Sequence, residues 1–244
     1  MVWTTVFESK FFNLDLPLLR RKPSAFAIQD HPGLWRIHWQ LGKTTLISTF
    51  YTRIDQACWL WGILTIAIFA IAQYSLLDWR IQAVFGTGLT LVGTIAMLRL
   101  SRYCQSIRPL HEVALTWARL MLAGAVMTDL GVGLAWGLLL EHLCVFWLGL
   151  NAIGYSITGW KLRSRAFFLI GFVHLVGIVV LPYIRSWQFI FTGIVIGLNA
   201  MLIAELQWDS GDVCAVHRAI DEQNEQNSLA ELKPANYKTK QKKS

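Results

Sequence analysis

Asp129, His174, Asn151 and Asn199 stand inside long apolar runs of the 244-residue chain. No water reaches a hydrocarbon interior, so each polar side chain placed there requires a physical explanation. Counted along helices from the nearest basic end, the four lie at depths of ~15, ~12, ~13 and ~10 Å at 1.5 Å per residue. They therefore share a level close to the middle of a bilayer. One chemistry open to such a layer is a proton relay, a small-solute site or a cation site, with Asp129 and His174 as its titrating members. The alternative is structural, with the same groups hydrogen bonded between helices to tie a bundle together. Equal depth does not decide whether the four face one another.

Glycine spacing supplies a second pattern. Gly133-x-x-x-Gly137 and Gly193-x-x-x-Gly197 each place two glycines one helical turn apart, where missing side chains let backbones approach. Asp129, Gly133 and Gly137 fall on one i, i+4 stripe, which predicts a packing seam shared with the aspartate.

Other chemical patterns are weak. Glu141-His142 offers two ligands where a metal needs three or four, and reads as a solvated loop pair. Cys58, Cys104, Cys144 and Cys214 form no Cys-x-x-Cys pair, and a disulfide framework is not expected. Gly42-Lys43-Thr44 resembles the end of a phosphate loop, but Ile37 stands where the earlier glycine is needed. His31, His38, His111 and His217 fall in polar segments and are read as surface residues. His174 has no second imidazole at its depth, so no haem of the bis-histidine kind is expected, nor any other cofactor. The chain contains no nucleophile elbow and no zinc-helix pattern.

The elements that must hold these residues follow from composition. Hydrophobic residues make up 55% of the chain and charged residues 15%, against roughly 25% charged in soluble domains. Mean hydropathy is +0.44. Six apolar runs are expected as membrane-spanning helices, at about 57–77, 81–98, 115–138, 142–160, 166–184 and 187–206. Residues 1–56 read as a basic lead-in, within which Gly33–Tyr51 mixes aromatic and basic residues. Such a segment suits either the headgroup layer or a soluble helix packed on the loops. With no cleavable leader evident, the first run is expected to remain as a span. Residues 207–244 read as a polar tail whose end is expected to be disordered.

Charge orients the bundle. Of the 22 basic residues, all but Arg80 and Arg185 fall on one side of this topology. Positive loops resist translocation, so that side, with both termini, is expected in the cytoplasm. Trp59, Trp61, Trp117, Trp160 and Trp208 fall at inner ends, and Trp79, Trp136, Trp147 and Trp187 at or near outer ends, as headgroup anchors would. The net charge of +7 is explained by this placement, and nucleic acid is not expected as a partner.

The expectation is an all-α, six-helix membrane bundle whose partners are the lipid bilayer and other membrane subunits, in a plasma or thylakoid membrane. The absence of catalytic patterns points to a non-catalytic accessory or assembly factor. The main rival is a solute or proton-coupled transporter built on the layer around Asp129 and His174; an intramembrane enzyme is the third reading.

Overall fold

A computed structural model describes residues 17–22, 35–41, 44–102 and 108–209. His31, Cys104, Cys214, His217, the Gly42-Lys43 pair and the tail from residue 210 lie outside these. Three short strands come first: β1 (Leu19–Arg21), β2 (Trp35–Leu41) and β3 (Thr44–Tyr51). The helices follow: α1 (Arg53–Tyr74), α2 (Trp79–Ser101), α3 (Arg108–Gly133), the short α4 (Gly137–Glu141), α5 (Leu143–Leu162), α6 (Arg165–Val180) and α7 (Gln188–Glu205). A 3₁₀ segment, Leu181–Trp187, joins α6 to α7, and β4 (Leu206–Trp208) follows α7.

The fold is a helical bundle of the expected class. Five helical stretches are long and apolar enough to cross a membrane, and the last of them, Arg165–Glu205, contains 41 residues. It is no single rod, because Ile184 leaves helical geometry in the connecting turn (φ −125°, ψ 35°). Its two ends also meet, with the Arg165 backbone N–H donating to Asp209 just beyond α7 at 2.9 Å. The stretch is therefore a hairpin of two apolar helices. The chain is built as a multi-pass integral membrane protein.

Local chemistry sets the helix ends. Thr52 and Asp55 form a reciprocal capping box at the start of α1, and Asp78 accepts from the Arg80 N–H at 2.8 Å to open α2. Two termini use non-glycine residues in the left-handed region, Ala135 (φ 50°) and Arg163 (φ 51°). After each, the next N–H reaches back to close the helix, Trp136 to the Gly131 carbonyl at 2.8 Å and Ser164 to the Gly159 carbonyl at 3.0 Å.

That first terminus corrects the sequence reading. The third helix runs over 108–133 rather than 115–138, because the chain turns at Ala135. Gly133 ends α3 and Gly137 opens α4, so the stripe from Asp129 stops at Gly133 and does not continue to Gly137. A Cβ on either would meet nothing within 4 Å, and the expected seam is absent.

Close backbone approach occurs instead between α1 and α7. A Cβ on Gly197 would lie 2.5 Å from Ile66 Cγ1 and 2.8 Å from the Gly62 carbonyl oxygen. One on Gly193 would lie 2.6 Å from Phe69 Cβ. This is the most extensive helix pairing, followed by α5 on α6 and α2 on α3. Gln73 on the Ser186 carbonyl (2.9 Å) and Tyr51 on Glu205 (2.6 Å) mark the two ends of the antiparallel α1/α7 pair.

Of the two readings of Gly33–Tyr51, the helix is corrected. Residues 35–41 and 44–51 pair as the antiparallel strands β2 and β3, with Trp35 opposite Tyr51 and an irregularity between Trp39 and Gln40, rather than as a helix. Trp35, Ile37, Trp39 and Leu41 alternate with polar residues, and Thr44, Thr45, Ile47 and Thr49 are β-branched, which favours a pleated strand. β1 pairs antiparallel with β4, joining the N-terminal region to the chain after α7.

Candidate functional site

The four mid-depth polar residues each make a hydrogen bond close to home. Asn151 on α5 donates to the Trp147 carbonyl (2.9 Å), and Asn199 on α7 to the Val195 carbonyl (2.7 Å), each one turn back. Asp129, half-buried on α3, accepts from the Thr87 hydroxyl on α2, its two oxygens 3.0 and 2.9 Å away. His174 on α6 is fully buried, with Nδ1 2.8 Å from the Ile170 carbonyl. A carbonyl only accepts, so the proton of that bond is on Nδ1, and Nε2 is left as a buried lone pair without a partner. The His174 ring lies 5.1 Å from that of Tyr155 on α5. No hydrogen bond joins any two of the four. Among the described residues no group of three His, Cys, Asp or Glu side chains is placed to hold a metal ion.

Between the helices runs a long cavity of about 230 Å³, walled chiefly by α1, α2, α3, α5 and α7. Its α1 wall extends from Arg53 to Ala72, about 28 Å by helix rise, close to the ~30 Å of a hydrocarbon core. Of the four polar residues, Asn151 alone reaches this wall. The lining is otherwise mostly aliphatic and aromatic, and its polar members include Thr90, Thr128 and Thr158. These hydroxyls donate to their own i−4 carbonyls at 2.8–2.9 Å.

Three tryptophans read from sequence as headgroup anchors are instead part of this wall. Trp61 on α1, Trp117 on α3 and Trp147 on α5 each lie over a glycine of a neighbouring helix. A Cβ on Gly93 would come within 3.3 Å of the Trp61 ring, and one on Gly154 or Gly124 within 2.7 Å of Trp117 or Trp147. Indole packing against a bare backbone lets a large ring enter a helix interface. Two of the three find a polar partner. Trp117 Nε1 donates to Thr158 Oγ1 at 3.0 Å, and Trp147 Nε1 to Thr128 Oγ1 at 3.2 Å. Trp61 Nε1 is buried and has none. Nothing in the spacing of single tryptophans shows which neighbour they face, so the sequence carried no signal for this arrangement.

A second polar centre lies at the basic end. Lys22 Nζ donates to Asp55 Oδ2 at 2.6 Å, to the Ala204 carbonyl at 2.6 Å and to the Phe50 carbonyl at 3.4 Å. It also sits over the rings of Phe50 and Tyr51, 5.5 and 5.2 Å from their centroids. Asp55 Oδ2 further accepts from the Thr52 N–H and hydroxyl. Beside it, Glu205 Oε1 accepts from the Tyr51 hydroxyl (2.6 Å) and from Trp59 Nε1 (3.0 Å). Burial first, and then Glu205, hold the Tyr51 phenol above its ordinary range. Asp209 accepts from the Ser164 hydroxyl, from the Arg165 backbone and from Arg165 Nε. Burial opposes its ionisation, but these donors outweigh that and hold the carboxyl below the usual range. The one local signal for this centre is the Thr52-x-x-Asp55 capping pattern, which the placement of the first helix at 57–77 passes over.

No protein-family model, no curated protein and no solved structure matches this chain.

Proposed function

We propose that this membrane protein is a non-catalytic accessory or assembly subunit of a larger membrane complex. The observation carrying the reading is that the mid-depth polar groups each bond within the bundle, His174 through Nδ1 alone, and that no two of them bond each other. Asn151 and Asn199 bond their own helices, and Asp129 bonds Thr87 on the adjacent one. Groups so arranged stiffen helices and join neighbours, as interhelical polar contacts do. Outward, α2 presents Val84, Phe85 and Val92, and α6 presents Phe172, Val176 and Val179, surfaces that suit lipid or another membrane subunit equally.

Purification of the tagged full chain from its native membrane in mild detergent tests this. A stable, stoichiometric membrane partner is expected, and a chain recovered alone under all mild conditions would refute the assembly role. A carrier is the second reading, favoured by the length of the cavity and by Asn151 on its wall. Under it, Asn151→Leu abolishes flux in proteoliposomes; under the assembly reading the same change only weakens folding or partner binding.

A further inference from the structure

The long cavity has the wall of a ligand site, and that wall carries buried polar atoms without a partner, among them the donor Trp61 Nε1 and the acceptor Gln82 Oε1. Apolar cavities do not fill with water, and one of about 150 Å³ lined by aliphatic and aromatic residues already takes a benzene-sized guest. Here the volume is about 230 Å³ and is drawn out along the bundle. An elongated apolar space fits a chain better than a compact molecule. Among the described residues Arg53, at the basic end, is the only formally charged one on the wall, so beyond that end nothing in the lining matches an ionic head.

Trp61 supplies the polar requirement. Trp61, Trp117 and Trp147 share one construction, a cavity-wall indole laid over a glycine of the next helix. For Trp117 and Trp147 the indole N–H meets a threonine hydroxyl across the interface. On α2, Thr90 and Thr94 donate to the Gly86 and Thr90 carbonyls just as Thr128 and Thr158 do to theirs, but neither accepts from Trp61, whose indole nitrogen has no partner. An indole N–H only donates, so what completes it is an acceptor oxygen. It lies eight residues into α1, about 12 Å by helix rise, too deep for a charged headgroup held at the surface.

We propose that the cavity binds one long-chain, uncharged molecule whose carbonyl oxygen accepts from Trp61 Nε1 while its apolar chain extends between α1, α2, α3 and α5. A neutral acyl ester and a quinone with an apolar tail share this chemistry. The inference does not rest on the assembly role, since a filled cavity and a bound partner are measured separately.

The experiment is saturation binding to the purified full chain in detergent, with methyl oleate and decylubiquinone as carbonyl probes and octadecane as a chain without an acceptor. At least one carbonyl probe is expected to bind at one per chain and more tightly than octadecane; the tighter of the two identifies the source. Trp61→Phe keeps the ring and removes the donor, and a net hydrogen bond corresponds to a roughly three- to tenfold loss of affinity. That loss is expected for the carbonyl probe alone, with octadecane unchanged. Ala125→Phe, which fills the cavity from α3, is expected to abolish all binding while the thermal midpoint shows the variant folded. Should Ala125→Phe fail to fold, the Trp61→Phe comparison decides alone. Absence of saturable binding by every probe overturns the site. Equal weakening of octadecane and the carbonyl probes by Trp61→Phe overturns the assigned acceptor.

Discussion

Lys22 Nζ and Asp55 Oδ2 stand 2.6 Å apart, both side chains less than a tenth exposed, and link positions 33 residues apart in the chain. Removing one member of a buried pair leaves an uncompensated charge, at a cost of about 3–5 kcal/mol. Lys22→Met and Asp55→Asn are each expected to lower the unfolding midpoint in detergent substantially. The double variant is expected to be more stable than either single prediction summed, giving a coupling energy in a double-mutant cycle. Strictly additive losses would show that the two residues act separately.

The glycines of α7 and of the α3–α4 turn are predicted to differ. Gly197→Val places a side chain against the Gly62 carbonyl and Ile66, where the backbone cannot yield, and is expected to separate α1 from α7. Gly133→Ala enters open space and is expected to change stability by less than about 0.5 kcal/mol. Thermal melts of the two variants side by side check this; similar losses would contradict the described packing.

Tyr51→Phe removes the donor that Glu205 accepts at 2.6 Å. A hydrogen bond to a charged group contributes about 1.5–3 kcal/mol, and a loss in that range is expected on chemical unfolding. Because the folded phenol is held above its ordinary value, its contribution is complete below about pH 10 and disappears as pH rises through the folded value. The phenylalanine variant should therefore lose the part of the alkaline destabilisation that the wild type owes to this group.

Acid is predicted to act at Asp209. Its folded carboxyl lies below the usual range, so its stabilisation is present above the ordinary pKa of about 4 and is lost as pH falls through the folded value. Asp209→Asn is expected to be less stable at neutral pH and to show a shallower loss of stability below pH 4. An unchanged acid profile would assign that sensitivity to other carboxylates.

What could be read in advance depended on the range of the interaction. Hydropathy is a sum over some twenty consecutive residues, so the apolar helices were legible, including the pair that folds back at Ile184. Capping at Thr52 and Asp55 is local within four residues, yet an apolar-run criterion passes over it and starts the first helix at 57 rather than Arg53. The β2–β3 hairpin was written in the alternation from Trp35 to Leu41 and the β-branched run after it, but aromatic and basic residues there suited a headgroup segment as well. The Gly133-x-x-x-Gly137 spacing misled because a helix must persist for such a stripe to exist, and the left-handed turn at Ala135 ends it first.

The sequence by itself determined that this chain is a bundle of apolar helices with polar residues at a common depth, because both are properties of composition along one dimension. Only the tertiary structure decided which of those residues meet. Asp129 turns to Thr87 and His174 to its own helix, while Trp61, Trp117 and Trp147 line the interior. Rotation of each helix about its axis settles such contacts. That rotation is set by close approaches between distant segments, such as Gly62 with Gly197 and Lys22 with Asp55. Depth is encoded along the chain, but facing is encoded between chain segments.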